Sequence, residues 1–123
     1  MMVQGTFIGD SLQPGVELLP STLRMTRLRR VAPDGLSPEQ PPEWTVVDFE
    51  ADDGQADTVA TAFARGLKGK GGWYSDFWVN DIHIVAFAGR VFRYVRGDDA
   101  GRNAAREYGE LCGVPVHQLD WPD

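Results

Sequence analysis

The chain has few residues of the kinds that bind metals or form cross-links. Its 123 residues include one cysteine, Cys112, and two histidines, His83 and His117. One cysteine excludes an internal disulfide and a multi-cysteine zinc site, and the histidines lack the i, i+4 spacing of a helical metal site. We therefore expect no metal and no cofactor. Cys112 is expected to pack as a small apolar side chain near a helix end.

Long apolar runs and positive charge are also scarce. No stretch approaches the roughly 20 apolar residues of a membrane span, and the first residues show no charged-then-apolar signal pattern. The formal net charge is −6, with two lysines beside ten arginines. Because binding to a phosphate backbone depends on clustered positive charge, this balance argues against nucleic acid as a partner. We expect a cytoplasmic protein that binds neither nucleic acid nor membrane.

Turn signals and short apolar runs predict a single α+β domain over residues 1–123. The hydrophobic fraction of 42 % is typical of globular chains, and the length fits one core. Residues 33–43 hold four of the eight prolines and are predicted to form a surface loop. The strands predicted around this loop are 3–8, 16–19, 23–31 and 44–50.

Two helices are predicted from apolar spacing, over residues 55–67 and 100–112. Carboxylates that can cap them precede both: Asp52 or Asp53 before the first, and Asp98 or Asp99 before the second. The apolar stripe of the first consists of Ala56, Val59, Ala60, Phe63 and Leu67. The packing face of the second consists of Gly101, Ala104, Ala105, Tyr108, Leu111 and Cys112.

Three strands of an antiparallel meander are predicted in the C-terminal half, at 73–79, 82–87 and 91–95. Asn80-Asp81 and Gly89 supply the two tight turns. The stretch GLKGKGGWYSDFW that leads into the meander is rich in glycine. A phosphate-binding loop, however, runs from a strand into a helix start, and here the order is helix, glycines, strand. We therefore interpret this stretch as a connector.

The turn positions determine which meander residues share a face. With Asn80-Asp81 as the turn, Val79 lies opposite Ile82 and Trp78 opposite His83. One face then carries Tyr74, Asp76, Trp78, His83, Val85, Phe87, Phe92 and Tyr94. The other carries Trp73, Phe77, Val79, Ile82, Ile84, Ala86, Val91 and Val95. Both faces are apolar, so we expect the two helices to cover one, and the N-terminal strands or a second copy of the chain to cover the other.

The polar residues on the first face are the candidates for chemistry. Asp76 lies diagonal to His83, and Tyr94 or Arg96 should flank His83 on the third strand. A carboxylate that orients an imidazole beside a phenol can perform general acid–base catalysis. The candidate catalytic residues are therefore His83, Asp76 and Tyr94, and the candidate ligand-binding residues are Tyr74, Trp78 and Arg96. The alternative is that His83 and Asp76 only satisfy each other's hydrogen bonds at the sheet rim.

Four arginines, Arg24, Arg27, Arg29 and Arg30, form the only basic run. Simple strand alternation places Arg27 and Arg29 opposite to Arg24 and Arg30, so no single basic patch is predicted. Protection of an edge strand is favoured over an anion site as the role of this run.

A series of short signatures resembles a group of small bacterial proteins that share their order. The signatures are GWYSDF, HIVAF, RVFRY, REYGELCGVP and QLDW. The likeness covers about residues 44–122 and implies a shared α+β fold. It implies no substrate, because that group has no assigned activity.

The excess of apolar sheet surface and the absence of a complete catalytic motif favour a non-catalytic protein-interaction module. Its partner would be another protein or a second copy of the chain. Two alternatives remain open. One is a small hydrolase or isomerase that uses the His83–Asp76 pair with Tyr94. The other is a small-ligand-binding protein with an aromatic cleft of Tyr74, Trp78 and Tyr94.

Overall fold

A computed structural model describes residues 2–122 and shows six strands and two helices. The strands are β1 (Met2–Ile8), β2 (Arg24–Val31), β3 (Trp44–Asp52), β4 (Ser75–Val79), β5 (Ile82–Phe87) and β6 (Arg90–Val95). The helices are α1 (Ala56–Gly66) and α2 (Asp99–Leu111). The predicted α+β fold is confirmed, and both helices lie where their apolar spacing placed them.

All six strands belong to one antiparallel sheet with the order β2-β3-β1-β4-β5-β6. The first strand of the chain therefore lies inside the sheet, between β3 and β4. Gly5 makes this position possible, because a Cβ there would lie 2.6 Å from the Cβ of Phe77 and 2.8 Å from the ring of Phe49. The meander turn is also as predicted, with Val79 opposite Ile82 and Asn80 at a φ of 53°.

The two helices cover opposite faces of the sheet, which corrects the expectation that both would cover one. We call the face that carries Phe77 the Phe77 face, and the one that carries His83 the His83 face. α1 packs on the Phe77 face, where Phe63 meets Phe7 and Phe49. α2 packs on the His83 face near β6, where Tyr108 meets Phe87 and Phe92. The N-terminal strands extend the sheet sideways, so they do not cover the meander.

The C-terminal tail adds to the cover of the meander on the His83 face, beside α2. Leu119 is fully buried and Trp121 is 7 % exposed. Gly109 of α2 allows the tail to approach, because a Cβ at that position would lie 2.9 Å from a methyl carbon of Leu119. Asp98 accepts a hydrogen bond from the backbone N–H of Gly101, which confirms it as the N-cap of α2.

Several local predictions were wrong. Residues 16–19 form no strand, because Pro14-Gly15 and Pro20 confine them to a coil against α1. The first meander strand begins at Ser75, two residues later than predicted, after Gly71 and Gly72 turn the chain at positive φ. Neither Asp52 nor Asp53 caps α1, because a 3-10 turn at Asp53–Gln55 precedes the helix. Leu111 is 85 % exposed and Ala104 is also exposed, so neither belongs to the packing face of α2, whereas Cys112 is half-buried and packs against the apolar cluster as predicted.

The arginine run follows a different pattern from simple alternation. The register of β2 against β3 shifts between Met25 and Arg27, which marks a β-bulge. As a result Arg24, Arg27 and Arg29 all lie on the His83 face, opposite Glu50, Asp48 and Val46 respectively. β2 is an edge strand of the sheet, as the protective role of the arginines requires.

The proline-rich segment lies between β2 and β3 and is attached to the glycines before β4. The Ser37 hydroxyl donates to the carbonyl oxygen of Gly71 over 2.8 Å, and the Gln40 side-chain amide donates to that of Gly72 over 3.2 Å. The predicted loop is present. Part of it is buried, because Gln40 is only 6 % exposed.

Candidate functional site

The sheet brings the three candidate catalytic residues into one hydrogen-bonded chain. Nε2 of His83 lies 2.7 Å from Asp76 Oδ2, and Nδ1 of His83 lies 2.6 Å from the Tyr94 hydroxyl oxygen. Because a carboxylate only accepts, Nε2 carries a hydrogen and donates it to Asp76. In a neutral ring Nδ1 then accepts the hydrogen of the Tyr94 hydroxyl. The predicted contact between Asp76, His83 and Tyr94 is thus present in the structure.

Aromatic rings enclose His83 on several sides. The Trp78 ring stacks on the imidazole at a centroid distance of 4.5 Å and an angle of 11°, and Trp121 meets it edge-on at 5.2 Å. The guanidinium of Arg96 lies 4.2 Å from the centre of the Trp78 ring. The side chain of His83 is 0 % exposed. No substrate can therefore contact its ring nitrogens in this conformation.

Of the three hydrogen-bonded side chains, Asp76 is the one that reaches solvent. Its side chain is 29 % exposed, and it lies on the His83 face beside Thr6 of β1. Oδ2 is held by His83, whereas Oδ1 has no hydrogen-bond partner within residues 2–122. This arrangement is the reverse of a hydrolytic triad, in which the carboxylate is buried and the reacting group is exposed.

A pocket of about 270 Å³ opens next to Asp76, and we call it the Asp76 pocket. It lies where β1 meets β4 on the His83 face. Beside apolar side chains of β1, its lining includes Thr6, Trp44, Trp73, Tyr74, Asp76 and Gln118. The indoles of Trp44 and Trp73 contact each other at a centroid distance of 5.2 Å. The pocket therefore has aromatic walls and a single charged group.

The tyrosine in this lining is locked by its own hydrogen bonds. The Tyr74 hydroxyl donates to the backbone carbonyl oxygen of Gln118 and accepts from Trp121 Nε1 over 3.2 Å. Burial, reinforced by the negative charge of Asp76, raises the pKa of Tyr74 well above its ordinary value of 10.0. Tyr74 thus stays protonated at neutral pH and acts as a fixed neutral wall.

A second polar row continues across the uncovered half of the His83 face. The Thr6 hydroxyl donates to Asp48 Oδ1 and the Arg27 guanidinium donates to Asp48 Oδ2, each over 2.8 Å. The hydrogen bond from Thr6, and then the hydrogen bond and charge of Arg27, lower the pKa of Asp48 below its ordinary value of 3.8. This row fixes Asp48 as a carboxylate between β1 and β2.

The six candidate residues divide into three groups. His83, Tyr94 and Asp76 meet as predicted. Trp78 and Arg96 cover the outside of His83 and do not line the Asp76 pocket, and Tyr74 does line it. The predicted aromatic cleft of Tyr74, Trp78 and Tyr94 is therefore replaced by one built from Tyr74 and two other rings.

Sequence reasoning missed four contributors to this region. Trp121 comes from the tail, and Trp44, Trp73 and Gln118 line the Asp76 pocket. Their convergence depends on β1 lying between β3 and β4, a pairing with no local sequence signal. The one usable hint was the tryptophan content itself, with four in the chain.

The described part of the chain holds no group of three or more histidine, cysteine or acidic side chains that could bind a metal ion. None of the helices in residues 2–122 has the length and apolar character needed to cross a membrane. Comparison with family models, with curated proteins and with solved structures finds no match for this chain. Its function must therefore be inferred from the geometry alone.

Proposed function

We propose that the chain is a non-catalytic protein-interaction module that binds an extended acidic segment of a partner protein along the open edge of β2. The observation that carries this proposal is the exposure of β2. It pairs only with β3, and every residue from Arg24 to Arg30 is exposed. The outward backbone groups of such a strand can pair with an added strand.

The charges of β2 favour an acidic partner over a second copy of the chain. In the antiparallel registers that overlap most of two β2 strands, arginines lie opposite or diagonal to arginines, which is destabilising. Arg24 and Arg27 have partners within the chain, at 3.5 Å from Glu50 and 2.8 Å from Asp48. Arg29 lies opposite Val46. Its charge acts on Asp48 from a distance, but it forms no ion pair within residues 2–122, so its guanidinium can pair with a carboxylate of a partner.

An apolar groove on the Phe77 face adjoins the same edge. It has a volume of about 380 Å³, and Leu18, Leu23, Met25 and Val47 are among its lining residues. Met25 is 61 % exposed and Leu28 is 53 % exposed. Because side chains of a strand alternate, a partner strand with acidic residues on one side and apolar residues on the other would match both faces of β2.

The alternative of a hydrolase or isomerase has less support. Catalysis by His83 requires a ring nitrogen within hydrogen-bond reach of the substrate, and the ring is enclosed. Self-association through the meander also has less support, because α1 and α2 each cover one of its faces within the chain.

The test uses backbone amide NMR with a synthetic peptide of the length of β2 that alternates glutamate and valine. We expect amide shifts and slower hydrogen exchange along β2, because its outward N–H groups become hydrogen-bonded. The matched peptide alternates lysine and valine and should leave β2 unchanged. Sedimentation of the protein alone should give the mass of one chain.

The matched variants are Arg29→Glu and Arg65→Glu, which change the net charge equally. Arg65 is exposed on α1, away from β2. Arg29→Glu should weaken binding of the acidic peptide several-fold, through the lost attraction, and Arg65→Glu should not. Equal shifts with both peptides, or a dimer joined through β2, would contradict the proposal.

A further inference from the structure

We propose that the Asp76 pocket binds a small organic cation through an alkylammonium group. This inference stands apart from partner binding at β2, because the pocket lies on a different part of the sheet. It concerns an opening where a partly exposed carboxylate meets aromatic walls. Such a combination of rings and negative charge is the chemistry that recognises alkylammonium groups.

The charge of the pocket selects a cation. Asp76 is the only charged side chain in its lining, and no arginine or lysine contributes to it. His83 holds Oδ2 from the buried side over 2.7 Å, which leaves Oδ1 for a ligand. A positive group placed beside Oδ1 would pair with a carboxylate whose orientation is already fixed, so binding requires little ordering.

The hydroxyl and side-chain amide donors of the lining are committed elsewhere, which disfavours an anion. The Thr6 hydroxyl donates to Asp48, and the Tyr74 hydroxyl donates to the backbone of Gln118. The side-chain amide of Gln118 donates to the carbonyl oxygen of Gly35 and to Gln40 Oε1. A ligand that carries its own positive charge and needs no donor from these hydroxyl and amide groups therefore fits best.

The walls favour an alkylated ammonium over a bare one. Trp44 and Trp73 provide indole surface, and the faces of such rings attract cations within about 6 Å of their centres. A methylated ammonium is less strongly hydrated than a primary one, so it loses less when it enters an apolar pocket. The volume of about 270 Å³ lies just below the range of about 300–1,000 Å³ that is typical of drug-sized ligands. The ligand is thus small.

The experiment compares choline with its neutral isostere 3,3-dimethylbutan-1-ol, by tryptophan fluorescence and by NMR of the indole N–H groups. We expect choline to bind at least about tenfold more tightly, since the two differ only in charge. A peptide that carries trimethyllysine is the third probe. If free choline binds, the alkylammonium group belongs to a small molecule. If the peptide binds and choline does not, the group belongs to a protein side chain.

Asp76→Asn is the decisive variant, because asparagine keeps an acceptor for His83 and removes the charge. It should reduce choline affinity at least about tenfold and leave the isostere unaffected. Asp81→Asn, in the turn at the far end of β4, removes a charge outside the pocket and should leave choline binding unchanged. If Asp76→Asn does not fold, the comparison of choline with its isostere on the native protein still decides. Equal binding of the two, or no saturable binding of choline or the peptide, overturns the proposal.

Discussion

Removal of the His83 ring should destabilise the protein strongly if the ring is part of the core. In His83→Ala a fully buried ring between Trp78 and Trp121 is replaced by a methyl group. Truncation of a buried aromatic ring to alanine costs about 3–5 kcal/mol. The hydroxyl of Tyr94 also loses its hydrogen bond with Nδ1, and a hydrogen bond of this kind contributes about 0.5–1.5 kcal/mol.

These contributions overlap, because the cavity can admit water to the freed groups. We therefore expect a loss of about 3–5 kcal/mol in the free energy of unfolding, out of a total of about 5–15 kcal/mol for a domain of ordinary stability. Urea unfolding followed by tryptophan fluorescence measures it, since two indoles contact the ring. Far-UV circular dichroism on the same samples establishes that the variant is folded at zero urea.

His117→Ala is the matched control. His117 is the other histidine of the chain and is exposed, so its removal should change the free energy of unfolding by less than about 0.5 kcal/mol. A double-mutant cycle of His83→Ala with Tyr94→Phe should show coupling, because the two groups share one hydrogen bond. If His83→Ala costs less than about 1 kcal/mol, the structural role of His83 is refuted. The same result combined with a lost ligand response would return His83 to the list of functional residues.

Two further predictions concern β1 and its neighbours. Gly5→Ala should lower the free energy of unfolding by about 1–3 kcal/mol in urea titrations, because the added Cβ would lie 2.6 Å from Phe77 and 2.9 Å from the Asp76 carbonyl oxygen. Gly54→Ala is its control, because a Cβ at that position meets nothing within 4 Å. Equal effects of the two substitutions would contradict the packing explanation. Asp48→Asn should make the free energy of unfolding fall less steeply as the pH is lowered. The pKa of Asp48 is lowered in the folded state, so the unfolded chain binds more protons in acid. The stabilisation from Asp48 is therefore present above the ordinary carboxyl range and is lost as the pH falls through the folded pKa. Thermal unfolding measured from about pH 2 to pH 7 tests this, and an unchanged acid slope in the variant would refute it.

The meander could be predicted from the sequence because its information is local. A two-residue turn at Asn80-Asp81 fixes the register of β4 against β5. In this register Trp78 lies opposite His83, and Asp76 lies two residues before Trp78 on the same face. The contact of Asp76 with His83 follows from the reach of their side chains. The helices could be predicted for the same reason, since the apolar spacing of both and the Asp98 cap of α2 are local features.

The surroundings of the site could not be predicted, because they depend on pairings between distant segments. The bulge between Met25 and Arg27 moves Arg24 to the face of Arg29, and alternation alone gives the opposite answer. The Asp76 pocket needs Trp44 from β3 and Gln118 from the tail, brought together by the position of β1. The enclosure of His83 likewise needs Trp121, which is separated from it by all of α2.

The central place of β1 has a consequence for how the protein is assembled during synthesis. β1 is translated before both of its neighbours, and both come much later: Thr6 bonds to Asp48, 42 residues on, and Ser75 bonds to Thr6 across 69 residues. Closing such long loops is slow and must precede any gain from the strands that are joined. β1 therefore has no partner strand until β3, which ends at Asp52, has emerged, and its other edge stays open until β4, which ends at Val79, follows.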